Sequence, residues 1–260
     1  MIFLDWAQLG IAPEMLGILF TVALVAGWVD SIGGGGGLLS IPALLLAGLT
    51  PLETLATNKL QASFGSSTAA YYYTRHGLVD WAQQKWAVIL TFGGATAGAM
   101  AVQHLNPQLL ARLIPWLLMG FAVYFLLSPS IHEPDRPARL SPRLFALTVG
   151  FWVGFYDGFF GPGAGMFFTM GYISLAGYGL LKATGNAKLL NFTSNFAALL
   201  LFAYSGQIVW LVGFVMALGQ ILGSQLGCRM AIRRGVRLIR PVLVTVSLLL
   251  SLKLLQSLWA

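Results

Sequence analysis

Four charged residues stand where charge is expensive. Lys59 and Lys188 lie inside otherwise apolar stretches, and Asp30 and Asp157 stand beside runs of glycine. Lys59 follows Thr50-Pro51-Leu52-Glu53, which reads as a capping box with proline at the first helical position. Helical rise places Lys59 about 12 Å beyond Pro51, near the middle of a membrane. Ser63 and Ser66 follow at i+4 and i+7 on the same face, and Lys188 is followed by Asn191 and Asn195 at i+3 and i+7. A charge at that depth costs at least about 2.5–3.5 kcal/mol. Two lysines in matching positions therefore require partners or a ligand. Asp30 and Asp157 are the partners at hand, though the sequence does not say which lysine meets which aspartate. Two readings follow: structural Lys–Asp pairs, or a cationic site for an anion that is exposed when the pairs rearrange. Asn58, Gln61 and Asn186 add hydrogen-bonding groups.

The stretch Asp30-Ser-Ile-Gly-Gly-Gly-Gly-Gly-Leu-Leu-Ser-Ile-Pro cannot continue a stable helix through five glycines. It leaves backbone N–H groups bare, which is costly in lipid unless something accepts their hydrogen bonds. Ser40 and Pro42 read as the start of a short helix whose positive end faces the break. Bare donors and a helix N-terminus together suit an anion. Gly33, Gly35 and Gly37 have counterparts in Gly161, Gly163 and Gly165. Close backbone packing without a ligand is the alternative reading of these glycines.

The elements that must position these residues are membrane helices. Of 260 residues, 57% are hydrophobic and 9% charged, with a mean hydropathy of +0.79. Soluble domains average about 25% charged residues. A span needs about 20 residues, so there is room for roughly eight apolar segments and none for a soluble catalytic domain. One cysteine, Cys228, excludes a disulfide framework and a two-thiol redox relay. His76, His104 and His132 are too far apart in sequence for the usual metal-ligand spacings. There is no phosphate-binding GxxxxGK[ST] loop, and no basic n-region of a signal peptide precedes the first apolar run. No enzyme activity, cofactor or metal is expected.

The net charge of +7 falls in loops, not in a nucleic-acid-binding stripe. Arg75 and Lys85 flank one loop; Arg136, Arg139 and Arg143 occupy a second; Arg229, Arg233, Arg234, Arg237 and Arg240 crowd a third. Turns near 103–109 and 205–207 carry no basic residue. Basic loops stay in the cytoplasm. The expected topology therefore puts both termini and the two neutral turns outside, with Lys253 a mild exception.

The halves repeat. Gly27-Trp28-Val29-Asp30 recurs as Gly154-Phe155-Tyr156-Asp157, and Lys59-Leu60 as Lys188-Leu189, a shift of 129 residues. The same shift pairs Trp81 with Trp210, Gly94 with Gly223 and Gly98 with Gly227. Equivalent loops differ in charge, so the expected arrangement is an inverted-topology repeat around a midplane site. The fold class is an all-α polytopic membrane protein with two such repeats. Each would be a glycine-broken re-entrant or short helix pair plus three transmembrane helices. The first half would use segments 15–31, 38–49 and 52–74, the second 143–159, 164–178 and 183–204. The expected division is 1–128, a cytoplasmic linker 129–142, and 143–260.

DSIGGGGGLLSIPALLLAGLTPLETLATNKLQA, GFYDGFFGPGAGMF and KATGNAKLLNFTSN resemble the TauE/SafE family of sulfite exporters and sulfur-anion transporters over almost the whole chain. The resemblance is strongest to bacterial inner-membrane proteins described only as probable membrane transporters. It implies export of a small sulfur-containing anion such as sulfite or a sulfonate, from a bacterial cytoplasmic membrane. Lys59 and Lys188 would neutralise the anion's charge. The amides of Gly33, Gly35, Gly37, Gly161, Gly163 and Gly165 would bond its oxygens. Asn58, Gln61 and Asn191 would tune selection, and Asp30 or Asp157 would serve as ion-pair partner or proton carrier. The second half has Asn186-Ala187-Lys188 where the first has Thr57-Asn58-Lys59, so the two sites are not chemical copies. The expected partners are a small anion and the lipid bilayer, with no nucleic acid; a homodimer is left open. The rival functions are an anion channel, a non-transporting membrane scaffold and, in a different class, a membrane enzyme.

Overall fold

The computed structural model describes residues 12–127 and 135–234, and every regular element among them is helical. The first half comprises α1 (Pro13–Gly33), α2 (Gly37–Leu46), α3 (Pro51–Arg75), α4 (Trp81–Gln103) and α5 (Pro107–Leu127). The second comprises α6 (Pro142–Phe145), a π-helical stretch Ala146–Phe151, α7 (Trp152–Phe159), α8 (Ala164–Ser174), α9 (Leu180–Tyr204) and α10 (Trp210–Arg234). His132, Arg237, Arg240, Lys253, the first part of the linker and the last expected span lie outside the described residues.

Local chemistry sets the helix starts. Pro13, Pro51 and Pro142 each open a helix, where the missing N–H costs nothing. Thr50 and Glu53 form the expected capping box, with Thr50 N donating to Glu53 Oε2 over 2.9 Å. Asp80 caps α4 by accepting from Ala82 N and Gln83 N. Two starting expectations change. Ser40 does not cap α2, which begins at Gly37, the last glycine of the run, and the Ser40 hydroxyl turns inward instead. Nor are both members of the first pair short. α1 has 21 residues, enough by length and apolarity to cross a membrane, because its helix holds through Gly33 before breaking. α2, with 10 residues, spans only about 15 Å.

Three helices among the described residues meet both length and apolarity for a span: Pro13–Gly33, Trp81–Gln103 and Trp210–Arg233. α3 and α9 are as long, at 25 residues each, but carry the buried polar residues. They pack against each other in the middle of the molecule, which removes their polar faces from lipid.

Around this central pair the halves interlock. α1 runs along α10 and α7 along α4, so each glycine-broken helix packs on a helix of the other half. Both seams use small residues that bring backbones together. A Cβ on Gly94 or Gly98 would collide with the carbonyls of Phe151 and Phe155; one on Gly223 or Gly227 would collide with those of Leu24 and Trp28. Lipid offers no hydrophobic force between helices, so this close van der Waals packing supplies the association. Across the ends, Val209 N donates to Thr57 Oγ1 over 3.1 Å, and Asn186 Nδ2 to Leu78 O over 3.0 Å. Thr57 and Asn186 are themselves 129 residues apart.

Candidate substrate site

α1 ends where Gly34 takes up a left-handed conformation, φ 80°, and its N–H returns to Asp30 O over 2.8 Å. A side chain there would be strained and would also strike the backbone at Gly165 and Met166. In the second half Gly163, at φ 83°, precedes α8. The two breaks meet: the position of a Cβ on Gly165 lies 2.9 Å from Gly34 Cα, and that of one on Gly37 lies 3.2 Å from Pro162 Cα. A side chain at Gly165 would force the backbone at Gly34 to shift, and one at Gly37 would press tightly on Pro162.

The lysines of α3 and α9 reach into this meeting point and pair crosswise. Lys59 Nζ lies 2.6 Å from Asp157 Oδ1, and Lys188 Nζ lies 2.8 Å from Asp30 Oδ2. Each pair joins one half to the other. Lys59 also donates to Asp157 O and, over 3.2 Å, to Asn195 Oδ1. Ser194 Oγ donates to the other oxygen of Asp157. Asp157 is 2% exposed and its carboxylate is fully engaged. Asp30 is 17% exposed, and among the described residues its carboxylate accepts, besides from Lys188, only from Gly36 N, over 3.1 Å. One of the amides expected to be bare at the glycine break, that of Gly36, thus already has an anion, the protein's own Asp30.

Between the breaks lies a cavity of about 20 Å³, room for about one water molecule. Asp30, Asp157, Asn58, Gln61 and Asn191 line it, with Gly37, Gly161, Gly163 and Gly165. Gly33 and Gly35 are not in its wall; Gly34 and Gly36 are, because the helical register of α1 and the turn that follows point those two inward. Asn186 lies elsewhere, tied to Leu78 O and Lys182 O. Ser63 and Ser66 bond back to carbonyls of their own helix. Gln220 and Ser194 were not foreseen, and Asn195, expected beside Lys188, bonds Lys59 instead. Gln220 of α10, 3% exposed, lines the cavity beside Gly27 and Gly65. A polar residue in an apolar run, equivalent by the 129-residue shift to Thr91, was the available signal. Asn195 and Ser194 hold the Lys59–Asp157 pair. Ser194 carried no signal, since a serine inside a membrane helix more often bonds its own backbone.

Among the described residues no cluster of His, Cys, Asp and Glu could hold a metal ion. His76 and His104 sit at the C-terminal ends of α3 and α4, away from the cavity.

These features define a multi-helical membrane protein with a polar, crosswise-paired centre. The sequence profile described as "Sulfite exporter TauE/SafE" matches residues 19–254, and the chain belongs to that family. It is 49% identical over 247 residues to the "Probable membrane transporter protein YfcA" of Escherichia coli K12, covering 95% of this chain and 92% of that one. It is 45% identical to "Probable membrane transporter protein ORF9" of a Sinorhizobium species, covering 95% of each. A "Probable membrane transporter protein" of Haemophilus influenzae is 42% identical, covering 95% of this chain and 97% of that one. No solved structure matches the chain.

Proposed function

We propose that this protein is a secondary transporter that exports a small sulfur-containing anion, sulfite or a sulfonate, by alternating access. The observation that carries the reading is the crosswise pairing of Lys59 with Asp157 and Lys188 with Asp30 at the meeting point of two glycine breaks. Buried charges that cross between halves hold the halves together when paired and let them part when a ligand replaces a partner. The cavity admits only about one water molecule, so the arrangement is a closed one, and an oxyanion enters when the breaks separate.

Asp30, the more exposed carboxylate, is the one the anion displaces from Lys188. The freed carboxylate then keeps the Gly36 amide or takes up a proton, which offers a route to proton coupling. Lys59–Asp157 stays closed as the hinge of the site. Asn58, Gln61 and Asn191, with the amides of both glycine runs, complete the binding surface. The two halves, 1–128 and 143–260, act as inverted repeats, with the basic loops cytoplasmic and both termini outside. The interlocked α1–α10 and α4–α7 seams are what such repeats would produce. An inside-negative potential favours anion exit by about 2.3 kcal/mol per charge per 100 mV, so export needs no ATP.

The test is flux of radiolabelled sulfite and methanesulfonate in proteoliposomes at fixed membrane potential. A carrier shows saturable flux that unlabelled anion on the far side accelerates. Conductance without such acceleration would mean a channel, and flux equal to that of empty liposomes would refute transport of this substrate class.

A further inference from the structure

One polar side chain of the cavity wall has no bond to hold it. Gln220 of α10 is 3% exposed and lines the cavity, yet among the described residues its amide makes no hydrogen bond. The other polar side chains of the wall each make at least one. A buried amide that bonds nothing is costly. Nothing fixes the last torsion of this one, so its NH2 can turn to an acceptor. Its place is made by two glycines. A Cβ on Gly27 or Gly65 would come within 2.7 or 2.4 Å of Gln220 Oε1, so the side chain lies in the room that α1 and α3 leave by lacking side chains there.

The other half fills the matching positions differently. The 129-residue shift takes Gln220 to Thr91 and Gly65 to Ser194. Thr91 Oγ1 donates to Gly150 O over 3.1 Å, and Ser194 Oγ donates to Asp157. Both hydroxyls are thus used inside the protein. In the first half Gly65 has no hydroxyl to offer Asp30, and the Gln220 amide occupies the space that a side chain there would take. That half therefore keeps, on the wall it shares with Asp30, a donor group that the protein itself leaves unused. On the reading that the cavity is the substrate site, we infer that Gln220 contacts the substrate: when the anion takes the place of Asp30 on Lys188, the Gln220 amide donates to one of its oxygens. A sulfonate suits this pair of groups, with one oxygen against the ammonium and another on the amide. Recognition of the oxygens is then one-sided, because Thr91 is short and already bonded.

The test is a titration of purified full-length protein in detergent with sodium methanesulfonate, with sodium chloride holding the ionic strength and melting temperature as the readout. The wild type should be stabilised saturably. Gln220→Met keeps the length and removes the amide. Without ligand it should melt no lower than the wild type, because no hydrogen bond is lost. It should need at least about tenfold more methanesulfonate, the loss expected for one hydrogen bond to a charged group. Thr91→Val should do the reverse, with a lower melting temperature from the lost bond to Gly150 O and wild-type affinity. Gln220→Leu carries the comparison if Gln220→Met does not fold. Wild-type affinity in a folded Gln220 variant overturns the contact and leaves the cavity as the site. A ligand-free melting temperature that falls together with the affinity also overturns it, since a packing role would do that. A wild type stabilised by neither methanesulfonate nor sulfite overturns the substrate reading, and this inference with it.

Discussion

Lys59 and Lys188 occupy matching positions on matching helices, yet their ion pairs are built differently. Asp157, which lines the cavity as Asp30 does, is 2% exposed and is held by Lys59 on one oxygen and Ser194 on the other, with Asn195 behind the ammonium. Asp30 lines the cavity, is 17% exposed, and among the described residues its carboxylate has Lys188 and one backbone amide as partners. The neighbours make the difference: α9 carries Ser194 and Asn195 beside the Lys59 pair, whereas α3 turns Asn58 and Gln61 toward Ser40 and the cavity. The two pairs therefore differ in exposure and in the number of side-chain donors around the carboxylate, and under the proposed mechanism the more exposed one, Lys188–Asp30, exchanges its partner for a ligand.

The sharpest way to break this comparison is to remove each lysine alone. Lys59→Met leaves a buried carboxylate uncompensated, a loss of about 3–5 kcal/mol. Lys188→Met should cost less, about 1–3 kcal/mol, because Asp30 retains the Gly36 amide and some contact with water. Melting temperatures in detergent measure both, and equal losses would erase the distinction between the pairs. Double variants refine it. Lys59→Met/Asp157→Asn should recover most of the folding and a substantial sulfite flux. Lys188→Met/Asp30→Asn should recover folding with flux near that of empty liposomes, and near-wild-type flux from it would refute the displacement of Asp30.

Next in size comes the contact between the glycine breaks. Gly165→Ala puts a methyl 2.9 Å from Gly34 Cα and 3.0 Å from Asn191 Nδ2. Flux per folded protein should fall at least about tenfold, since separation by a few tenths of an ångström disturbs both breaks at once. Gly93→Ala, within α4 where a Cβ meets nothing, controls for general effects of glycine replacement.

The smallest effect separates the entries to α3 and α9. α3 is capped by its own Thr50 and Glu53, whereas Gly179 ahead of α9 donates its N–H over 2.6 Å to Asp135, which comes from the linker. That amide, and secondarily Lys182, hold the Asp135 carboxyl below its ordinary range. A carboxyl depressed in the folded state stabilises above its unfolded value of about 3.9, and the contribution fades as pH falls through the folded value. Asp135→Asn should therefore lower the melting temperature slightly at pH 7 and converge on the wild type below about pH 4. An unchanged difference at low pH would mean the linker is held by Arg136 N and Arg139 N on the carbonyls of Gly177 and Leu175 instead.

The sequence by itself determined the helical membrane character, the capped start of α3 and the need of four charged residues for partners. Those follow from local rules: apolar length, proline and capping chemistry, and the cost of burying charge act within a few turns of chain. The expected 52–74 and 183–204 became Pro51–Arg75 and Leu180–Tyr204 for that reason. The pairing of the charges was not legible, because 98 and 158 residues separate the partners and either combination satisfies the same electrostatics. The choice of Gly34 and Gly36 over Gly33 and Gly35 depended on the phase in which α1 ends, and the reach of Gln220 on α10 packing beside α1 and α3. Only the tertiary structure decided these, because which side chains share a cavity depends on how helices from opposite halves cross, and no local pattern encodes that crossing.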